Sequence, residues 1–244
     1  MKITVLSDIH GNLPALKAIL QHADAQGAAQ ILNLGDSTGY GPEPDGVIQL
    51  LHEIKAINLL GDYDKKVLRK KHRKTGWSKV KNPDKRLMFN WTYHALSKRS
   101  RKLLKSYPEQ KTIEVGSLRI FMIHTSPGAK GGYLGPETSQ ASLKKITENI
   151  EADIILCGHS HRSFVRWVDD VLFINPGSVG RPDDGDPRGS YAVLEILDRK
   201  PGTELFRIQY DVMAAVQEIR KAGLPEVFAQ VLQQGLNYDD VITK

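Results

Sequence analysis

The sequence predicts an α/β fold in which two sheets face each other and helices cover the outside. Three observations carry this. Strand-like and helix-like patterns alternate over the first 60 residues. Short strand-like runs dominate from Thr112 to Ile196. Hydrophobic residues make up 40% of the 244-residue chain, enough for one sizeable core or at most two small ones. No internal repeat and no Pro/Ser-rich linker interrupts the pattern, so residues 1–244 are read as a single domain.

Lys2 to Ser7 is β-branched and apolar, the signature of a buried strand. Asn12 suits a helix N-cap and precedes a helical spacing through Leu13, Leu16, Ile19 and Leu20. Gln30–Leu34 reads as a second strand, Pro44–Glu53 as a helix with proline in its first turn, and Ala56–Leu60 as a third strand. Such alternation implies parallel strands with right-handed crossovers, and ligands collect beyond the carboxyl ends of such strands. Residues 65–105 look mostly helical, with breaks near Gly76 and Asn82-Pro83. Short strands follow at Thr112–Val115, Ser117–Ile123, Asp153–Cys157, Phe164–Val168, Val171–Ile174 and Tyr191–Ile196, with one helix near Thr138–Ile150. A polar loop spans 180–190. Two helical patterns, Val212–Ala222 and Pro225–Gln234, fill the C-terminal stretch 211–234.

Composition narrows the function classes. No apolar run reaches the roughly 18 residues that span a bilayer, so no membrane role is expected. The N-terminal MKITVLSDIHGN has no long apolar core and no small-residue cleavage site, unlike a signal peptide. The one cysteine, Cys157, excludes an intrachain disulfide and fits a reducing cytoplasm. Charge is uneven: residues 65–105 hold sixteen Lys/Arg and one acid, Asp84, while the rest of the chain holds 18 bases and 27 acids. The basic segment is either a solvated helical surface, a lid, or a face that draws nucleic acid and other polyanions.

The chemistry sits at the strand ends. Asp8 and His10 follow the first strand, Asp36 the second and Asp62 the third. His124 ends Leu118–His124, and Gly158-His159-Ser160-His161 follows Ile154–Cys157. In an extended segment residues i and i+2 face the same side, so Asp8/His10 and His159/His161 are expected to act as metal pincers. Three carboxylates and four imidazoles without a thiolate suit Mn, Fe, Zn, Co or Ni. Seven ligands exceed the needs of one ion. They suit two, about 3.5 to 4 Å apart, with one carboxylate bridging.

At these residues the chain resembles the calcineurin-like metallophosphoesterases. The motif blocks stand in order: Asp8-Ile-His10, Gly35-Asp36, Gly61-Asp62-Tyr63-Asp64, His124 and Gly158-His159-Ser-His161. The resemblance covers roughly residues 1–197. The stretches Leu34–Pro42 and Asn175–Gly180 point to the compact bacterial and archaeal branch, which has phosphodiesterase-like and diadenosine tetraphosphatase-related members. The resemblance implies a four-layer αββα sandwich of two mixed sheets flanked by helices. It implies a binuclear centre in which Asp8, His10 and His161 bind one ion, Asp36 bridges, and His124, His159 and position 62 bind the second. Two divalent transition-metal ions are implied, manganese foremost, with Fe, Ni, Co or Zn as alternatives. The implied reaction is hydrolysis of a phosphate ester by a metal-bridging hydroxide. Asn12 either touches substrate or caps its helix, and the cap is favoured.

One block departs from the family form, Gly-Asn-His-Asp or Gly-Asn-His-Glu. Asp62 replaces the asparagine and Tyr63 the histidine. Asp62 still offers an oxygen but adds a negative charge, which weakens attraction for an anionic phosphate or accommodates Fe³⁺. The family histidine is thought to protonate the leaving oxygen or stabilise the transition state. Either Tyr63 takes that catalytic part or it only packs. A phenol of pKa about 10 is a poor acid at neutral pH, and losing a general acid costs about 10² to 10⁴ in rate. Diesters and good leaving groups are therefore expected to outperform alkyl monoesters. Asp64 matches the acid that supports position 63. The leading expectation is a phosphodiesterase-like hydrolase, its phosphate-ester substrate drawn from nucleotides or small nucleic-acid products. A protein Ser/Thr or nucleoside polyphosphate phosphatase, and a weakly catalytic metal-binding scaffold for a protein partner, are the alternatives.

Overall fold

Side-chain alternation decides the layers. In the computed structural model, which describes residues 1–69, 77, 80–128 and 132–243, strand β1 (Lys2–Leu6) sends Ile3 and Val5 to one face and Leu6 to the other. Helix α1 (Leu13–Ala25) leads to β2 (Gln30–Asn33), and α2 (Pro44–Glu53) leads to β3 (Ile57–Asn58). The three strands run parallel. Then come α3 (Asp62–Leu68), α4 (Pro83–Ala95) and α5 (Lys98–Ser106). The second half follows as β4 (Gln110–Val115), β5 (Leu118–Ile123), α6 (Gln140–Thr147), β6 (Ile154–Leu156), β7 (Phe164–Val168), β8 (Val171–Asn175), β9 (Gly189–Leu197) and β10 (Lys200–Ile208). Helices α7 (Val212–Lys221), α8 (Glu226–Gln234) and α9 (Tyr238–Ile242) end the described chain.

Two mixed five-stranded sheets result, in the orders β10-β9-β1-β2-β3 and β4-β5-β6-β8-β7. Between them lies an apolar layer that includes Ile3, Val5, Leu32, Ile120, Ile154 and Ile174. The outer face of the first sheet is covered by a large helical layer, with Leu16, Ile19, Val47, Val216 and Phe228 at its centre. The outer face of the second packs Ile155 and Phe173 against Leu143 of α6. Helix, sheet, sheet, helix is the four-layer order expected. Each fully buried Leu or Ile contributes about 1.5–3 kcal/mol, so this patterning dominates the folding drive.

Several element bounds differ from the sequence reading. The third strand shrinks to two residues: Leu59 N makes a last bond to Asn33 O at the end of β2, and Leu60 N turns away to Pro108 O, both at 2.8 Å. Helix α3 begins at Asp62, so the acidic block is a helical first turn rather than a turn after a strand. The helix near 138–150 is confined to 140–147. Strand β10 and helix α9 were not anticipated. Pro201 and Gly202 disguise β10, an edge strand that tolerates both. Asn82 caps α4, accepting from Lys85 N at 2.9 Å, so the break at Asn82-Pro83 stands. The break near Gly76, with Lys70, Lys71, Arg73, Lys74 and Lys79 of the basic segment, lies outside the described residues. Asn12 caps α1 at 3.1 Å through Ala15 N and donates to Gly180 O and Tyr210 Oη at 2.9 and 3.0 Å. Its side chain is thus committed to structure. Among the described residues no helix is long and apolar enough to cross a membrane.

Candidate metal centre

The carboxyl ends of β1, β2, β5 and β6 converge at one edge of the sandwich. The loops after β1 and β2 extend the sheet pairing, with Asp8 N bonding Gly35 O at 3.0 Å and His10 N bonding Asp36 O at 2.9 Å. Two groups of potential ligands form there: Asp8, His10 and His161, and Asp36, His124 and His159. Within each group the ligand atoms lie within 4.8 Å of one another. Each group draws residues from both sheets. His159 and His161 are split between the groups rather than forming a pincer. The reason is backbone: Asp8, His10, Asp36, His159 and His161 all have left-handed φ, between 50° and 68°. Extended i, i+2 geometry does not apply to them. Non-glycine residues avoid this region, at a cost of order 1–3 kcal/mol each, and strain so concentrated marks a functional site.

The imidazoles are oriented from behind. Nδ1 of His10, His124 and His161 faces Thr38 O, Leu34 O and Arg181 O at 3.3, 3.0 and 2.6 Å. A carbonyl only accepts, so each Nδ1 carries the proton and Nε2 is directed inward. Nε2 of His161 lies 3.1 Å from Asp8 Oδ1 and 3.2 Å from His10 Nε2. Nε2 of His124 lies 3.3 Å from Asp36 Oδ2. Asp8 Oδ2 is held by Ser7 Oγ at 2.6 Å and His159 N at 3.0 Å. Asp8 Oδ1 and His124 Nε2 are buried without a hydrogen-bond partner. Buried polar atoms are rarely left so, and cations held by the two groups would satisfy both. The donor set therefore fits divalent ions.

The electrostatics agree. Burial opposes ionisation of Asp8, yet His161 and His124 hold its carboxyl well below the usual range. Asp36 is likewise lowered to about 2, His124 outweighing burial. Burial, then His161, pushes His10 down to about 3, so it presents a lone pair. His124 is raised to about 10 in the absence of metal: burial would lower it, but Asp36 and Asp8 prevail.

Asp62 stands outside both groups, on the first turn of α3, with Lys65 Nζ 3.7 Å from its Oδ1. It still acts on His124 and His159 through its charge. Tyr63 lines the wall: its ring meets His10 edge-on at 5.2 Å and packs against Phe89 at 5.2 Å, and its hydroxyl bonds Tyr40 Oη at 3.0 Å. Tyr63 N donates to Asp36 Oδ1 at 2.7 Å. Asp64 does not support Tyr63 as expected. Its buried carboxylate accepts from Ser37 N, Thr38 N, Thr38 Oγ1 and Gly61 N at 3.2, 3.0, 2.7 and 3.1 Å. It ties the Asp36 loop to α3, because a carboxylate at this position of a first helical turn is the natural acceptor for free N–H groups. The recurrence of Gly-Asp has a steric cause. A Cβ on Gly35 would lie 2.7 Å from Gly61 N, and one on Gly61 2.1 Å from Asp36 N. The two loops touch backbone to backbone.

Sequence reasoning missed Arg181, which follows the singled-out Asn175–Gly180 stretch and reaches His161. It also missed Tyr40, inside the Leu34–Pro42 stretch. Within the basic segment, Lys65 pairs with Glu109 at 2.9 Å, Lys85 covers the Tyr238 ring at 4.7 Å and Arg101 bonds Tyr93 O at 2.8 Å. These bases have local structural partners. A polar cavity of about 420 Å³ opens beside His159 and Ser160, lined by Tyr133, Glu137, Asp183 and Asp240 among others.

Known proteins resemble this chain in sequence and fold. The family model of the calcineurin-like phosphoesterase superfamily domain matches residues 1–199. An uncharacterized protein of Methanocaldococcus jannaschii is 29% identical over 250 residues, covering 96% of this chain and 98% of that one. Phosphodiesterase YfcE of Escherichia coli K12 is 27% identical, covering 80% and 88%. The crystal structure of a metallophosphoesterase from Sphaerobacter thermophilus superposes with a TM-score of 0.79 at 28% identity, covering 96% and 99%. A hypothetical protein from Pyrococcus horikoshii OT3 shares the fold, with a TM-score of 0.88 at 22% identity over 96% and 98% of the two chains.

Proposed function

Because this chain belongs to the calcineurin-like phosphoesterase superfamily and is a metal-dependent hydrolase of phosphate esters, we propose that it is a phosphodiesterase built on two divalent ions. Asp8, His10 and His161 hold one ion, and His124 and His159 hold the other. Asp36 would serve both, and Asp62 would be the second ion's remaining ligand. One observation carries this reading: two ligand groups meet with carboxylate oxygens and ring nitrogens within 4.8 Å of one another in each, and Asp8 Oδ1 and His124 Nε2 have no hydrogen-bond partner. Bound there, the ions lower the pKa of water and neutralise charge on phosphoryl oxygens. Manganese suits the mixed oxygen and imidazole set.

The chain's own residues set the preference. Tyr63 is pushed well above the ordinary phenol range by burial and then by Tyr40, so it is neutral and a weak acid. That disfavours alkyl monoesters, whose leaving oxygen needs a proton, and favours diesters with good leaving groups. The cavity beside His159 supports the same preference. Glu137, Asp183 and Asp240 face it with Arg162, so it repels a second phosphate and accommodates an uncharged, hydroxyl-bearing alcohol. This argues against a nucleoside polyphosphate. The likeness to YfcE, a phosphodiesterase by name, adds support. Residues 1–244 act as one unit in this reading, since Tyr210 and Phe228 join the core of α1 and α2. Residence in a reducing cytoplasm fits the buried free thiol of Cys157.

The test is hydrolysis of bis-p-nitrophenyl phosphate by the Mn²⁺-loaded chain, abolished by chelator and restored by Mn²⁺. A fully metallated sample inert on aryl diesters and monoesters overturns the reading.

A further inference from the structure

We propose that Arg181 is a substrate-binding residue whose guanidinium takes a non-bridging phosphoryl oxygen at the edge of the metal centre. The inference rests on the phosphoesterase reading above and names how this chain holds the anion.

Arg181 is fixed to the site by its backbone. Its carbonyl accepts from His161 Nδ1 at 2.6 Å, and its N–H donates to Ser178 Oγ at 2.8 Å. The residue is only 7% exposed. Its Nη2 lies 3.2 Å from His161 Nε2, while Nε and Nη1 are buried with no hydrogen-bond partner. The guanidinium lies over the Tyr40 ring at 4.5 Å, which aligns it and satisfies none of its N–H groups. Arginine offers five donors in a planar fork. Among the described residues the guanidinium makes a single hydrogen-bond contact, from Nη2 to His161 Nε2. With that nitrogen engaged by a metal, the guanidinium would be left without an acceptor.

A buried charge is poorly tolerated without a partner, so the site is incomplete without an oxyanion. A phosphoryl group matches: its oxygens accept two parallel N–H bonds, and its charge pairs with the guanidinium. Charge balance points the same way. Asp8, Asp36 and Asp62 place three carboxylates around the centre, and Arg181 returns one positive charge to the phosphate side. Among the described residues, Lys65 pairs with Glu109 at 2.9 Å, Lys66 covers the Tyr63 ring at 4.7 Å, and Arg162 faces Glu137 at 3.8 Å.

The experiment compares metal-loaded wild type, R181M and R181K. Inorganic phosphate is the probe, followed by calorimetry and by competitive inhibition of bis-p-nitrophenyl phosphate hydrolysis, with metal content measured in parallel. The methionine stem preserves the packing on Tyr40. R181M is expected to weaken phosphate binding about 10- to 100-fold, the worth of a charge-assisted hydrogen bond, with metal content unchanged. R181K is expected to recover part of the loss. Phosphate affinity within twofold of wild type in metal-loaded R181M overturns the proposal. If R181M does not fold, R181K decides: a drop of about threefold or more supports a fork-specific site, and an unchanged affinity overturns it. Loss of metal that is cured, together with phosphate affinity, by excess Mn²⁺ also overturns it, because Arg181 then serves only His161. Calorimetry reads phosphate whether or not any ester is turned over, so failure of the phosphodiesterase reading is seen separately in the wild type's inertness.

Discussion

Replacing Asp64 by asparagine tests whether the second ligand group is held from behind. The carboxylate is fully buried and accepts four hydrogen bonds, two on each oxygen. An asparagine keeps the oxygen facing Thr38 but turns an NH₂ toward Ser37 N and Gly61 N, which then lack an acceptor. Each buried orphan donor costs about 1–3 kcal/mol, so D64N should destabilise the metal-free fold by about 3 kcal/mol. For a chain of this size that is ~10 °C in melting temperature. The Asp36 loop is what the clasp holds, so Mn²⁺ affinity should fall as well, about tenfold or more for a ligand freed from its geometry. The pH dependence has a definite sign. Burial, then the charge of Asp36, pushes the Asp64 carboxyl up to about 6, above its unfolded value near 3.9. A raised folded pKa means that wild type gains stability from this group as pH falls from 7 to 5. D64N lacks that gain, so the gap between the two proteins should widen on acidification. Melting curves in chelator at pH 7 and 5, with a metal titration at pH 7, decide it. A D64N protein that melts within about 2 °C of wild type and binds Mn²⁺ normally refutes the clasp.

Other variants probe neighbouring claims. G61A should lose metal and activity, since its Cβ would lie 2.1 Å from Asp36 N and 2.2 Å from Asp36 Oδ1; normal metal content by elemental analysis refutes the contact. H161A should remove an ion and abolish turnover while leaving the fold intact by circular dichroism; retained turnover excludes His161 from the centre. Y63H should raise the rate on alkyl monoesters by about tenfold or more relative to aryl diesters, if a proton donor limits the rate; an unchanged ratio assigns Tyr63 to packing alone. Raising salt should leave bis-p-nitrophenyl phosphate hydrolysis nearly constant, because the substrate carries one charge. A steep fall in affinity for oligonucleotides over the same range would instead make the basic segment a polyanion surface.

The fold was legible where side-chain period and burial coincide. Ile3, Val5 and Leu6 announce β1, and Ile154, Ile155 and Leu156 announce β6, because both faces of these strands are buried. Strand β10 was not legible, since its pattern of Pro201, Gly202 and exposed Glu204 and Leu205 is that of a solvated edge. The short helix α9 depends on Tyr238 and Val241 docking, which is a tertiary contact. At the site, residue types at strand ends announced the ligand groups. What the residue types do not encode is backbone conformation. With left-handed φ at His159 and His161 the i, i+2 rule for extended chain does not hold, and the two late histidines are split, while Asp8 and His10 stay together. Asp64 illustrates the same limit, because whether it serves Tyr63 or the Asp36 loop depends on how α3 docks. Arg181 was hidden because one arginine in a polar loop carries no spacing signal.

Each ligand group takes residues from both sheets, so ions held there would act as a rivet across the open end of the sandwich. Asp8, His10 and Asp36 come from one sheet, and His124, His159 and His161 from the other. The apolar layer glues the two sheets along their length, but at this edge the facing groups are carboxylates and imidazoles. Without a cation, the facing side chains at this edge would be held by a few hydrogen bonds, such as His159 N to Asp8 Oδ2 and His124 Nδ1 to Leu34 O, and by contacts among titratable groups. Withdrawing metal should therefore loosen the end of the sandwich before it unfolds the middle. Amides at Ser7 to Asn12, Leu34 to Thr38 and Gly158 to His161 would exchange faster while those of β1 and β6 stay protected. Metal supply would then set the lifetime of the fold at that edge as well as its chemistry.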